Sequence, residues 1–519
     1  MEVKKIPSIF NDVMGPIMRG PSSSHCAASV RIGRMARDLM DGNIKDILIE
    51  FDPKGSLATT HDSQGSDMGL YGGFLGWEAY DERLVNYAEA IEEAGITIKV
   101  EINDFKAEHP NTYKLTLKND KETHEMVAIS TGGGMIEIIE IDRIKVSMIG
   151  DCYETLIYSE ETGILEYLQK ELIIDEIINF KGKDIPFIEI KSQKFPNKEI
   201  LNRLHSNFRI FSIKELKPVL PVLSRKGMEV PFSTYEEMLE YNEDKNLNLW
   251  ELAIHYESIR GSISSEEVIK KMKHIVKVMK KSIFDGIKGT EFADRILGFQ
   301  SGFFKTQMEN ERILDGGILN QMILYISAMM EIKSSMGVIV AAPTAGACST
   351  IPGALLGAAS MMELSEEEII KAMFATSLIG IFISRGATFS AEIGGCQAEC
   401  GSASGMAAAG LVTLKEGNTK QATDAASMAL QNSFGMVCDP VANRVEVPCL
   451  GKNVMAASNA LSCANMALAN YDVVIPLGEV IESMNKVGRS IPYELRCTAL
   501  GGLSVTKTSR ILEEKLRSN

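Results

Sequence analysis

No apolar run in this chain is long enough to cross a bilayer. The longest, Ala372 to Ser384, lies between Lys371 and Arg385. It falls short of the about 20 residues a spanning helix needs, and predicts a buried core helix instead. A basic excess is also missing: 54 Lys and Arg stand against 69 Asp and Glu, a net charge of −15. That balance disfavours nucleic acid or an anionic membrane as partner. The nine cysteines are odd in number and scattered, with most in the C-terminal half. They make no disulfide framework and read as metal-binding or catalytic thiols in a reducing compartment. Met1-Glu2-Val3-Lys4-Lys5 leads into no apolar core, so no signal peptide is expected and the expected location is cytoplasmic. The chain shows no nucleotide-binding fingerprint, no repeat of solenoid period and no low-complexity tail.

A length of 519 residues exceeds one core and predicts two to four domains. The remaining composition, 45% hydrophobic and 24% charged, is that of an ordinary globular protein. The chemistry concentrates between Gly337 and Leu411, in two patches of small residues. One is Ala341-Ala342-Pro343-Thr344-Ala345-Gly346-Ala347-Cys348; the other runs from Ala391 to Ser402 and carries Cys396 and Cys400. Small side chains let the backbone approach a bulky inorganic group, and separated thiolates are the ligands an iron–sulfur cluster takes. Cys-x3-Cys with one distant Cys fits no single ligand formula, and free cysteines also serve as small buried hydrophobes.

Longer motifs carry a resemblance. The runs APTAGACSTIPGALLG, GGCQAECGSASGMAAAGL and VCDPVANRVEVPC resemble the α part of iron–sulfur-dependent L-serine dehydratases. GPIMRGPSSSHCAASVRIGRMAR, near the N-terminus, resembles the β part. The resemblance covers both ends of the chain and leaves the middle weakly matched. It implies a [4Fe–4S] cluster acting as Lewis acid on the hydroxyl of a small amino acid, with release of pyruvate and ammonia. It also goes with a homodimer that needs neither nucleic acid nor membrane. Alternatives are the same chemistry on another β-substituted acid, or a non-catalytic amino-acid sensor.

Read in order, the chain predicts a multidomain α+β fold. Residues 1–143 form an α/β domain, with strands at Asp46–Phe51, Ile96–Ile102 and Met135–Ile141. Residues 144–217 alternate as βαββαβ, with strands expected at Val146–Tyr158, near Ile173–Phe180 and Ile185–Ile190, and at Arg209–Ile213. This is the ferredoxin-like order, where relatives carry an ACT regulatory domain. A linker over 218–232 precedes an all-helical domain, 233–519. Capping boxes at Ser264-x-x-Glu267 and Ser365-x-x-Glu368 open two of its helices. Thr131-Gly132-Gly133-Gly134 reads as either an anion nest or a flexible turn.

For the site, Ser22, Ser23 and Ser24 precede a helical pattern with Val30, Ile32, Met35, Ala36 and Leu39 on one face. Hydroxyls and free N–H groups at such a helix start suit a carboxylate. The resemblance implies that these serines hold the substrate, with Thr344 as a further contact, and that His25, which could titrate near neutrality, is a catalytic group. Relatives carry Gly-His-x-Thr-Asp where this chain has Gln64, Ser66 and Asp67, with His61 three residues before the glutamine. Gln64, Ser66 and Asp67 are expected to contact the substrate, and either His61 takes over the catalytic role or the substrate differs. Cys348 and Cys396 match family ligand positions. The position eight residues on is Ser404, so Cys400 is expected as the third ligand. Cys438 and Cys449 also recur in the family motif and are expected to be structural, though either could stand in as a ligand. The terminal cysteine that plugs the open iron in some relatives is not at Asn519, and Cys497 is a remote substitute.

Overall fold

The computed structural model describes residues 6–172, 174–180 and 186–517. Residues 1–5 and 518–519, which bear on the leader and the terminal plug, lie outside the described residues. So do residues 173 and 185, where two middle strands are expected to begin.

The N-terminal part is built on a six-stranded sheet. Its order is Thr97–Ile102, Asp46–Phe51, Thr112–Lys118, Thr123–Gly132, Met135–Ile141 and Ile144–Met148. The first pair is parallel and the others are antiparallel. Thr123–Gly132 alternates buried and half-buried along most of its length, as a strand with one packed face should. Thr112–Lys118 has no counterpart in the sequence reading. The helix Ala28–Leu39 buries the expected stripe Val30, Ile32, Met35, Ala36 and Leu39. It crosses Ser66–Phe74 so closely that a Cβ on Gly73 would sit 2.4 Å from the Val30 carbonyl oxygen. Only glycine fits that crossing.

The segment from Val146 to Tyr158, expected as one strand, is two strands in different sheets. Ile144–Met148 closes the first sheet, the chain turns at Gly150 with φ 75°, and Tyr153–Tyr158 begins the second. The second sheet runs Ser212–Leu216, Tyr153–Tyr158, Phe187–Ser192, Glu176–Phe180, all antiparallel, with helices Ile164–Glu171 and Lys198–Asn207 between strands. Ile157, Ile188 and Ile190 face Leu168 and Leu204 on those helices. Leu156, Tyr158, Phe187 and Leu216 on the opposite face join the core of the N-terminal part.

From Tyr235 onward the chain is helical apart from Ile339–Val340. That short strand pairs antiparallel with Ile17–Met18. Ile9, Phe10, Val13, Met14 and Met18 lie in the helical core, so the start of the chain is an integral part of the C-terminal half. The region 218–232 holds no helix or strand but is bound down: Asn11 donates to the Val222 carbonyl at 2.7 Å and accepts from its N–H at 3.0 Å. Among the described residues one helix, Glu366–Gly386, is long and apolar enough to span a membrane, and 78% of its apolar window is buried inside the fold. Its capping box at Ser365 and Glu368 is formed as expected.

Candidate active site

The serine cluster winds into a π-helical turn, Ser23–Ala27, ahead of Ala28–Leu39. That turn carries the hydroxyls of Ser22 and Ser24 to 3.0 and 3.1 Å from Nδ1 of His25. Nε2 of His25 lies 2.8 Å from Thr60 Oγ1, which donates to the Ser56 carbonyl. Ser24 donates to Oε1 of Glu392 at 2.7 Å and Ser390 donates to Oε2 at 2.7 Å. With Thr60 and Ser24 already donating elsewhere, the network closes with the histidine proton on Nε2 and Ser22 donating to Nδ1. His25 is fully buried, which lowers its pKa to about 4. Burial alone would raise Glu392, but the charge that His25 takes on at acidic pH and the Ser24 and Ser390 donors hold it below the usual range, so at neutral pH only the carboxylate is charged. The pair is a neutral imidazole beside an ionised carboxylate.

The same turn meets the first small-residue patch, where Ala345 N–H donates to Ser23 Oγ at 3.1 Å. The glycine turn at 132–134 closes the hairpin between Thr123–Gly132 and Met135–Ile141 and packs on both patches. A Cβ on Gly132 would lie 3.0 Å from Ser390, and one on Gly133 3.1 Å from the Pro343 carbonyl oxygen. Of the two readings open for these glycines, the tight turn accounts for what they touch.

His61 sits differently. Its Nδ1 is 2.7 Å from Asp67 Oδ2, and its ring stacks on Phe51 with centroids 5.0 Å apart. Burial would lower the imidazole pKa, but the hydrogen bond and charge of Asp67 outweigh it and the pKa is raised. His61 and Asp67 line a cavity of about 1100 Å³, whose other walls carry Lys333, Asn443, Arg444 and Glu446. Gln64 is fully buried away from that cavity. It donates to Asn443 Oδ1 at 3.0 Å, and Asn443 donates to the Thr59 carbonyl and to Ser63 Oγ, each at 2.8 Å. Ser66 is buried against the Tyr113 hydroxyl at 2.9 Å. Of Gln64, Ser66 and Asp67, Asp67 lines the cavity, beside His61, Ser63 and Gly65, and the other two do not.

All nine cysteines are buried and unpaired. The sulfurs of Cys396 and Cys438 and a carboxylate oxygen of Glu399 lie within 4.8 Å of one another. Cys497 joins Cys396 and Cys438 in one small cluster, its N–H donating to the Cys438 carbonyl at 3.1 Å. Lys452 donates toward Cys396 Sγ at 3.6 Å and to Asp439 at 2.9 Å. Cys400 lies outside that apolar cluster: its sulfur receives Asn453 Nδ2 at 3.7 Å, and burial pushes its thiol up, with charge at Cys396 and Cys449 adding to the shift. Cys449 opens the helix Cys449–Leu468, and burial pushes its thiol up strongly, with charge at Cys396 adding to the shift. Cys348 is raised to about 11 by burial, and no other sulfur contributes to its shift. Thr344 donates to Glu399 at 2.6 Å, and burial raises Glu399 to about 7.

Comparison with known proteins shows the family of the chain. The family model for the serine dehydratase alpha chain matches residues 244–504. The chain belongs to that family. A probable L-serine dehydratase alpha chain from Bacillus subtilis is 35% identical over 285 residues, 55% of this chain and 95% of that protein. The L-serine dehydratase alpha chain of Peptoniphilus asaccharolyticus is 34% identical over 280 residues, 54% of this chain and 96% of that protein. A probable L-serine dehydratase beta chain from Bacillus subtilis is 40% identical over 147 residues, 28% of this chain and 66% of that protein. Its match to the N-terminal part is consistent with a fusion of beta and alpha parts in one polypeptide.

The donor set fits a thiophilic metal centre. The paired sulfurs of Cys396 and Cys438 are the soft donors that such a metal takes, with the Glu399 carboxylate and the Lys452 ammonium beside them. Sequence reasoning missed Glu392, Lys333 and Asn443. Glu392 and Asn443 lie inside motifs quoted for their cysteines; Lys333 carries no local signal. The residue is 1% exposed, and its ammonium donates to the Val445 carbonyl and has no ion-pair partner among the described residues.

Proposed function

We propose that this chain removes water from L-serine, the enamine product hydrolysing to pyruvate and ammonia. The observation that carries this reading is the Ser24–Glu392 hydrogen bond. It joins the serine–histidine turn of the β-type part to the patch holding Cys396 in the α-type part. Both halves of a serine dehydratase therefore meet at one place in a single polypeptide.

Cys396 and Cys438 are the proposed ligands of a [4Fe–4S] cluster, with Cys449 as the third. Cys449 is favoured over Cys400 because its sulfur makes no hydrogen bond among the described residues, and because a helix N-terminus stabilises a thiolate. Such a cluster would supply Lewis acidity to the substrate hydroxyl, making a poor leaving group leave. The chain's own residues do the rest. Lys333, a buried cation on the cavity wall, holds the substrate carboxylate. His61, oriented through Nδ1 by Asp67, takes the Cα proton at Nε2. Neutral His25 and ionised Glu392 keep the serine turn in place beneath the site.

Anaerobic reconstitution with iron and sulfide, followed by assay of pyruvate from L-serine, tests the proposal. A protein that binds the cluster but releases no pyruvate from L-serine overturns the substrate. A cavity of about 1100 Å³ is far larger than serine needs, which favours as a second reading a larger β-substituted amino acid. The same assay with a panel of such acids separates the two. The βαββαβ order and four-stranded antiparallel sheet of the middle part support reading it as ACT-like, at about residues 144–217.

A further inference from the structure

A second cavity, of about 530 Å³, lies away from the active site where three parts of the chain meet. Its floor is apolar, formed by Phe10, Met14, Val30, Leu220 and Ile275. Its rim is cationic: Arg31, Arg34, Lys270 and Lys271 outnumber Glu78 and Glu267, with His274 beside them. Glu78 pairs with Arg34 at 2.7 Å, while Glu267 reaches Lys270 and Lys271 only at 3.8 and 3.9 Å.

Arg31 decides what this cavity would take. It is 5% exposed, and its guanidinium donates through Nη1 alone, to the Gly134 carbonyl at 2.5 Å and toward the Met135 sulfur at 3.9 Å. Its Nη2 and Nε carry no hydrogen bond among the described residues. They are also not among the side-chain nitrogens sealed from solvent, so they open on the cavity they line. A buried guanidinium with spare N–H groups above an apolar floor matches one ligand chemistry, an anionic head on an apolar body.

We infer that this junction is a binding site for a small amphipathic anion. Two of its walls lead directly into the active-site loops. Val30 and Arg31 sit on the helix that follows His25, and Ile17 pairs with Val340, which leads into the Thr344 patch. A ligand here touches the elements that hold both halves of the active site, so its occupancy changes turnover without contact with substrate.

The test uses the full chain and 1-anilinonaphthalene-8-sulfonate, an aromatic body with one negative charge. Fluorescence titration is expected to show one saturable site. Val219→Trp, which fills the cavity, is expected to weaken binding at least tenfold. Lys271→Glu, a rim change that leaves the floor intact, is expected to weaken it severalfold with an unaltered melting curve. The uncharged N-phenyl-1-naphthylamine is expected to bind at least tenfold more weakly than the sulfonate. Equal affinity of the two probes, or an undiminished site in both variants, overturns the inference. Because probe binding is read without turnover, its outcome does not depend on the assigned reaction.

Discussion

Gln64 and Asn443 are hydrogen bonded at 3.0 Å across 379 positions of sequence, and both are buried. This amide pair ties the loop carrying His61 to the segment between Cys438 and Cys449. The glutamine standing in the family's histidine place therefore works as a tether here, while His61 occupies the cavity wall.

Gln64→Ala is expected to leave the Asn443 carbonyl oxygen without its donor. The cost is about 1–3 kcal/mol for a buried polar group stripped of its partner. Thermal unfolding should report the loss, and the KM for serine should move less than twofold. A large rise in KM with unchanged stability would return Gln64 to the substrate.

The His61–Asp67 pair sets a pH limb. As the base, His61 must be deprotonated, and Asp67 raises its pKa above the ordinary 6.5. kcat/KM should climb with pH through a pKa above 6.5. Asp67→Asn removes the raising influence and leaves burial, so the limb should shift to lower pH. His61→Ala should cost about 100- to 10,000-fold in rate. A profile indifferent to Asp67→Asn would reject the pair as the base.

Buried His25 makes a separate, thermodynamic prediction. Its folded pKa, about 4, lies below the 6.5 of the unfolded chain, so the unfolded state takes up the proton first as pH falls. Stability should drop between pH 6.5 and 4 and then level off. The change is up to about 3 kcal/mol, from 1.36 kcal/mol per pKa unit. Melting temperature against pH for wild type and His25→Asn checks this: the variant should lose that part of the slope.

Iron content discriminates among the thiols. After anaerobic reconstitution, Cys396→Ser, Cys438→Ser and Cys449→Ser should lose most of the iron and the absorbance near about 400 nm. Cys348→Ser and Cys400→Ser should keep both. Loss in Cys400→Ser with retention in Cys449→Ser would exchange the third ligand.

Lys333→Met should raise the KM for serine about tenfold or more. That corresponds to losing a charge-assisted hydrogen bond of about 1.5–3 kcal/mol. Lys333→Arg should recover part of the affinity. An effect on iron content with unchanged KM would instead make the lysine a counter-ion of the thiols.

Much of this protein is determined locally. The stripe Val30–Leu39 forms its helix, Asp46–Phe51 its strand, and Ser365 with Glu368 its capping box, because period and capping depend on neighbours a few residues away. The long motifs at both ends were legible for the same reason, as contiguous strings. Tertiary structure alone decided the rest. Gly150 splits an apparently continuous strand between two sheets, since what lies on either side of a turn is not written in its own residues. Cys396 shares a group within 4.8 Å with Cys438, 42 positions away, and with Glu399, while Cys400, four positions away, lies outside that group though charge at Cys396 still reaches it. Residues 397–401 form a turn that carries the nearer sulfur off toward Asn453. Lys333 was illegible because a lysine is read as solvated until packing buries it, and burial is a property of the whole fold.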